Sequence, residues 1–451
     1  MAVFHGGKIT GEFCSNDRES GPGVTRNPVT NSTPRASKWG LMDGSDERKQ
    51  ERTRVCLDLR YLQRACENSQ SGAWGGVATY SANLWNALVR REGRVLVQPL
   101  LTKRFVTPKF RSVVEGADET RRVECPLIGH RLMPARLSFG KYAPILQLVE
   151  SEILLARALL KQDLDVIHMP DQTVPPPVKF AKVVTVHHIP FRKEERRAKF
   201  KRFYFRRLVR RADRLVCDSR FTAEELLAFA PVAADKISVC PAGLDLNVFR
   251  PSRREPERVA SRFQLSMPFF LHVGVCAGRK NPDGILEAVA RVKARWGGKF
   301  EIAFVGAYPL WRTALEYLTL RGQQLGISGQ LRFLGEVNTD ELVMLYQNSA
   351  ALVFPSLMEG FGYPPVEALA CGAPCIISDE GAVAEVVGDV GCRVNVRSSE
   401  EIASAMIAVL RGQHKDVRVS GPALAARFGA SSMADRFIEI YETVRKTKTN
   451  C

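Results

Sequence analysis

The chain has 451 residues, too many for one core, so two domains with extensions are expected; its 45% hydrophobic and 25% charged content is ordinary for a globular protein. A formal net charge of +17 points to an anionic partner: nucleic acid, an acidic membrane surface or a phosphorylated substrate. No apolar run approaches the ~20 residues of a membrane-crossing helix. The start carries no signal-peptide core. The eleven cysteines are scattered, with Cys371 and Cys375 separated by three residues and no pair at metal-ligand spacing. These features together lead us to expect a reduced, cytoplasmic protein without a metal site.

Residues 1–52 are rich in Gly, Ser, Asn, Pro, Thr and charge, and read as a disordered N-terminal extension. A strand at Arg54–Arg60 then feeds the Gly-rich stretch Ser71–Tyr80, and Val77, Tyr80, Leu84 and Leu88 recur at helical spacing. Short β-branched strands follow at Val166–His168, Val183–Val186, Leu215–Val216–Cys217 and Ile237–Val239. Between them lie helical patterns over Pro144–Leu160, Lys199–Ala212 and Thr222–Phe229.

The polar run Arg250–Arg258 breaks the alternation and is read as part of a linker over 249–266. The pattern restarts with strands at Phe269–Val273, Glu301–Val305, Leu331–Leu334, Ala351–Phe354 and Pro374–Ile377. Helices are expected over Pro282–Arg295, Asp340–Gln347 and from Pro364. Strands alternating with helices predict an α/β fold with parallel sheets. The expected organisation is two doubly wound, Rossmann-like domains at 53–248 and 267–432. A helix within 433–451 could pack on either.

The segment Phe354-Pro-Ser-Leu-Met-Glu-Gly-Phe-Gly-Tyr-Pro-Pro-Val-Glu-Ala368 carries the most chemistry. Glu359 falls in a glycine-rich loop after a strand, where backbone N–H groups can approach a ligand. Pro364 and Pro365 suit a first helical turn, and Glu367 is expected inside that turn. Helix starts at the carboxyl ends of parallel strands attract phosphate. The two carboxylates, eight positions apart, could bind two hydroxyl groups of one ligand; a capping carboxylate beside a glycine turn is the plainer alternative. A second loop, His272-Val-Gly-Val-Cys-Ala-Gly-Arg-Lys-Asn281, brings Gly274 close to the cations Arg279 and Lys280. Such fixed cations can stabilise a developing negative charge without a metal ion.

This pattern resembles the Glu-x7-Glu signature of the family 4 retaining glycosyltransferases, which have the GT-B fold. The Glu-Gly-Phe-Gly-x-Pro-Pro-x-Glu-Ala variant is similar to that of mannosyl- and glucosyltransferases of bacterial polysaccharide and lipopolysaccharide synthesis. The resemblance implies that Glu359 contacts the donor sugar and Glu367 the nucleotide ribose. It also implies that the amides of Phe361, Gly362 and Tyr363 hold sugar and phosphate. Pro364 and Pro365 have no N–H, so phosphate contacts made there in relatives are absent. The Val-Gly-x-x-x-x-Arg-Lys-Asn element matches Gly274, Arg279 and Lys280, with Val275 where relatives often carry Arg.

Gly75 and Gly76 match the family's loop over donor phosphates and acceptor. His187 matches a His near the reacting sugar, with His188 where relatives usually carry Asp. Weaker matches are Cys217–Thr222, Val239–Asp245 and Glu385–Asp389.

The implied partners are a nucleotide-diphosphate sugar, serving as co-substrate rather than cofactor, and a glycan or lipid-linked acceptor. The basic segment Arg192–Arg214 has twelve Lys or Arg against three acids, and places Phe200, Phe203, Tyr204 and Leu208 on one helical face. Basic amphipathic helices suit anionic membranes, so peripheral contact with the inner face of the plasma membrane is expected. The alternative is a basic nucleic-acid- or membrane-binding module without transferase activity. No helix-turn-helix, zinc or RNP pattern supports nucleic acid as a partner. No GxGxxG follows a strand, which disfavours a dinucleotide oxidoreductase.

Overall fold

The computed structural model describes residues 52–68, 75–91, 93–102, 108–114, 123–125, 150–189, 198–306 and 311–449. The proposed extension over 1–52 (residue 52 excepted), the part of the expected helix over 144–149 and residues 71–74 lie outside these residues.

The described residues form two parallel sheets. The first has seven strands: β1 (Thr53–Asp58), β2 (Val95–Thr102), β3 (Val123–Cys125), β4 (Val166–Met169), β5 (Ala181–Val186), β6 (Arg214–Cys217) and β7 (Ile237–Val239), in spatial order 3-2-1-4-5-6-7. The second has six: β8 (Phe269–Val273), β9 (Glu301–Val305), β10 (Leu331–Gly335), β11 (Leu352–Phe354), β12 (Cys375–Ser378) and β13 (Cys392–Val394), in order 10-9-8-11-12-13.

The central strands are buried on both faces. Every residue of β5 and of β8 is buried, as helices covering both sides of a parallel sheet require. In each sheet the chain reverses its direction of winding once, between β1 and β4 and between β8 and β11. Ligands of open α/β sheets bind beyond the carboxyl ends of strands flanking such a point. Here those ends carry Asp58, Asp171, Gly274 and the Glu359 loop.

Helices α1 (Arg60–Asn68), α2 (Gly76–Val89), α3 (Ala198–Arg211) and α4 (Arg220–Phe229) belong to the first half. The expected linker is not free of structure: Pro256–Phe263 forms α5, with Pro256 at its first position and Val259 buried. The second half contains α6 (Pro282–Trp296), α7 (Trp311–Gln324), α8 (Thr339–Asn348), α9 (Tyr363–Ala370), α10 (Gly381–Val387) and α11 (Ser399–Leu410).

The closing helix, α12 (Ala430–Thr449), returns to the first sheet. It buries Phe437 and Tyr441 there. The Tyr441 hydroxyl lies 2.7 Å from His168 Nδ1, and Arg91 forks onto Asp435. Burial pushes the His168 pKa down to about 3, so the ring is neutral within this contact.

The basic helix differs from its expected face. Leu208 is buried and Tyr204 half-buried, but Phe203 is 53% exposed and Phe205 takes the core position instead. The Phe200 side chain and residues 192–197 lie outside the described residues.

Candidate active site

The site is assembled from two loops of the second sheet. After β8, Gly274 turns the chain at φ +106°, and Gly278–Lys280 make one 3-10 turn. Asn281 then caps α6, its side chain accepting the Gly284 N–H. Arg279 and Lys280 therefore precede the helix cap rather than occupying the helix start. A cation inside the first helical turn would oppose the helix dipole; the turn avoids this.

After β11, the Leu357 N–H donates to the Arg279 carbonyl at 2.8 Å, and Arg279 Nη1 donates to the Met358 carbonyl at 2.9 Å. The two loops thus fix one another. Glu359 sits where they meet, 2.5 Å from Arg279 Nη1 and 2.7 Å from Lys280 Nζ. Lys280 Nζ also lies 4.0 Å from the centre of the Phe354 ring. Burial pushes the Glu359 pKa up, but Lys280 and then Arg279 outweigh it and hold the carboxylate below its usual range. Burial lowers the Lys280 pKa, opposed chiefly by Glu359. Any ligand group entering here meets one carboxylate and two cations already in register.

Gly360 admits no side chain, since a Cβ there would stand 1.6 Å from the His187 carbonyl oxygen. Its own carbonyl accepts the Ser219 hydroxyl at 3.0 Å. Gly362 caps α9 at φ +91°, where a Cβ would also press on Val383 at 2.8 Å. Phe361 is buried against Tyr363 and Phe428. Tyr363 opens α9, and its hydroxyl donates to the Gly243 carbonyl at 3.2 Å. Gly75 caps α2, and Gly76 faces the Tyr363 ring, with 3.8 Å left for a Cβ. These contacts join the Gly75–Gly76 turn and the Glu359 loop across the cleft.

Glu367 is not in the first helical turn, as expected, but at the fifth position of α9. The helix begins at Tyr363, before both prolines, and that shifts the count. Glu367 is 6% exposed, and its Oε2 accepts the Tyr346 hydroxyl at 2.8 Å. Burial raises its pKa to about 7, with Tyr346 pulling the other way.

His187 follows β5 with both ring nitrogens engaged. Nδ1 lies 2.5 Å from Asp218 Oδ2, and Nε2 lies 2.8 Å from the Pro170 carbonyl. Both neighbours are acceptors, which the doubly protonated ring satisfies. Burial opposes that charge, yet Asp218 outweighs it and the His187 pKa is raised. His188 is exposed beside it, within electrostatic reach of Arg279 and Glu359.

Several residues of this cleft were not singled out by sequence reasoning. Tyr346 is one, buried in α8 and aimed at Glu367. Asp218 and Ser219 fall within the Cys217–Thr222 match, which did not indicate their partners His187 and Gly360. Glu385 receives the Arg220 and Phe221 N–H groups at 2.9 and 2.8 Å, capping α4 from the opposite half. The Glu385–Asp389 match located that residue but not its partner.

Two parallel Rossmann-like sheets, with a carboxylate and two cations on loops beyond the carboxyl ends of the second, have the GT-B architecture. The Glycosyltransferase Family 4 model matches residues 74–248, and the Glycosyl transferases group 1 model matches 253–423. The chain belongs to the family 4 glycosyltransferases. It is 28% identical over 270 residues to the serotype-specific mannosyltransferase WbdA of Escherichia coli, covering 57% of this chain and 33% of that one. It is 30% identical over 243 residues to D-inositol 3-phosphate glycosyltransferase 2 of Catenulispora acidiphila, covering 52% and 57%. The match therefore spans a third to rather more than half of these relatives. Among solved structures, Anabaena HepE in complex with UDP and glucose superposes with a TM-score of 0.62 at 15% identity, covering 87% of this chain and 100% of that one.

Proposed function

We propose that this glycosyltransferase moves a hexose from a nucleotide-diphosphate sugar to a glycan or lipid-linked acceptor, with retention at the anomeric carbon. The observation that carries the reading is the Glu359–Lys280–Arg279 cluster beyond β8 and β11. Glu359 accepts sugar hydroxyl hydrogen bonds, and Lys280 with Arg279 faces the diphosphate. The amides of residues 361–363 complete the sugar and phosphate contacts. Glu367, held by Tyr346, receives the ribose. The Gly75–Gly76 turn covers the phosphates from the other half.

In the step itself, the bond from the anomeric carbon to the diphosphate oxygen breaks, and a bond to the acceptor oxygen forms on the same face. The acceptor proton passes to the leaving diphosphate. Lys280 and Arg279 stabilise the negative charge that develops there, a task that fixed cations perform without reorganisation. His187 acts by holding the Pro170 carbonyl in place rather than through a free ring nitrogen. The HepE complex with UDP and glucose, and the mannosyltransferase relative, support a nucleotide sugar and a hexose.

We place the enzyme in the cytoplasm, at the inner face of the membrane. No helix among the described residues is long and apolar enough to cross one. The outward face of α3 presents Phe203, with the exposed Arg206 and Arg210 on the turns that follow, and Ile153 and Leu160 are exposed on the 150–160 segment. Exposed apolar side chains beside arginines suit an anionic lipid surface.

Turnover of a panel of UDP-, GDP- and ADP-sugars tests the reading. One donor should release its diphosphate in the wild type, and Lys280→Ala or Glu359→Ala should abolish that release. Full activity in either variant would sink the assignment.

A further inference from the structure

Beyond the first sheet lies a second set of polar groups, separate from the cluster around Glu359. Asp58 ends β1, and its carboxylate is forked by the buried Arg60 guanidinium at 2.8 and 2.7 Å. Tyr61 and Arg64 follow on α1, three positions apart and therefore on one helical face. Tyr61, on the helix that follows the carboxyl end of β1, is 40% exposed.

Asp171 stands opposite, two residues beyond the end of β4. Its carboxyl lies within electrostatic reach of Asp58, Arg60, Arg64 and Tyr61, and the Thr173 side chain hydrogen-bonds to it. One of its oxygens, Oδ1, is shut off from solvent and has no hydrogen-bond partner among the described residues. A buried acceptor left unpaired costs roughly 1–3 kcal/mol, so such an atom calls for an explanation.

The backbone around Asp171 is also unusually well held. His187 Nε2 lies 2.8 Å from the Pro170 carbonyl, and the same ring is anchored at Nδ1 by Asp218. Gln172 reaches the His188 carbonyl. An imidazolium–carboxylate pair is thus used to fix the peptide immediately before Asp171. Structure spent on aiming a carboxylate whose free oxygen meets no protein donor fits a carboxylate that meets a ligand donor.

We propose that Asp171, half-buried just beyond the end of β4, binds the acceptor: its carboxylate receives the hydrogen bond of an acceptor sugar hydroxyl, with Arg64 donating to a second oxygen and the exposed Tyr61 ring covering the sugar face. The ligand class follows from the chemistry of the set. A carboxylate acceptor, a guanidinium donor and an exposed ring match a polyhydroxylated, weakly amphipathic ligand. The neighbouring Asp58 is already neutralised by Arg60, so the set does not gather bare negative charge for a cation. His187 and Asp218 become positioning residues for Asp171. This inference rests on the glycosyl-transfer reading, because it supplies the acceptor half of that reaction.

The test uses Asp171→Asn in the full chain, with octyl glycosides of mannose, glucose, galactose and N-acetylglucosamine as acceptors. With the best acceptor, the variant should raise the acceptor KM at least tenfold. Binding of UDP or GDP, followed by thermal shift, should stay within twofold and shows that the fold and the donor half are intact. An unchanged acceptor KM overturns the proposal. So does a joint loss of transfer and nucleotide binding, which would mark Asp171 as structural. A wild-type enzyme that turns over a nucleotide sugar yet uses none of the glycosides overturns the sugar class. Should the wild type turn over no nucleotide sugar, the transfer reading fails by itself. Saturation-transfer NMR of octyl mannoside on both proteins then decides the binding claim without a donor: signal lost in the variant supports it, and equal signal refutes it.

Discussion

Replacing Glu367 with Gln should make the protein more stable at high pH while weakening its hold on the donor. Glu367 is buried, and its pKa rises from 4.5 to about 7, mainly through burial. A carboxyl with a raised folded-state pKa holds its proton in the native state where the unfolded chain has lost it. Stability therefore falls as pH climbs from 4.5 towards 7 and stays at its reduced value above that. A rise of roughly 2.5 pH units at about 1.36 kcal/mol per unit corresponds to roughly 3 kcal/mol at pH 8. Gln cannot ionise and still offers an oxygen to the Tyr346 hydroxyl, so the variant should recover most of that amount. The assay is thermal or urea unfolding of both proteins at pH 5 and pH 8.5. The variant's advantage should appear at pH 8.5 and largely vanish at pH 5. Its donor KM should rise roughly 10- to 100-fold, the size expected on losing a charged hydrogen bond of about 1.5–3 kcal/mol. Equal stability of the two proteins at pH 8.5 would refute the reasoning, because it would mean that the carboxylate is not held at a disadvantage.

Tyr346→Phe removes the hydroxyl that donates to Glu367 and should move the low-pH loss of donor binding towards higher pH; an unmoved inflection in donor KM against pH would show that the 2.8 Å contact is idle. Glu359→Gln takes the counter-charge from Lys280, whose pKa burial already lowers, and should reduce donor turnover at least a hundredfold while the fold survives in circular dichroism. Gly360→Ala drives a methyl into the His187 carbonyl and should abolish turnover and lower the unfolding midpoint. Wild-type-like turnover in that variant would mean the loop can move aside.

Much of this was legible in the sequence. The β-branched runs that became β4, β5, β8, β9 and β12 were readable because strands buried on both faces are continuous apolar segments. Others were not. Val123–Cys125 and Cys392–Val394 are short edge strands, and β2 carries Pro99 within it, so none shows a run long enough to register. Helix α5 hid in a charged stretch because it buries only one side chain, Val259.

At the site, glycines and charges announced Glu359, Lys280 and Gly362, since each owes its role to local chain geometry. Partners supplied by remote segments could not be read in the same way. Tyr346 lies 21 positions from Glu367, and Ser219 lies 141 from Gly360. Only the folded chain brings them together, and with them the second use of His187. The helical face expected around Phe203 failed for a related reason: the sheet beneath α3 takes Phe205, one position on from the tyrosine of the expected stripe.

The central claim is a retaining transfer from a nucleotide-diphosphate sugar, driven by fixed cations. The most direct measurement is proton NMR of the sugar first released from GDP-mannose or UDP-glucose, in the presence of EDTA and before mutarotation. The account predicts release of the α anomer from one of these α-linked donors, lost in Lys280→Ala. First release of the β anomer, or no release from either donor without added metal, would contradict it.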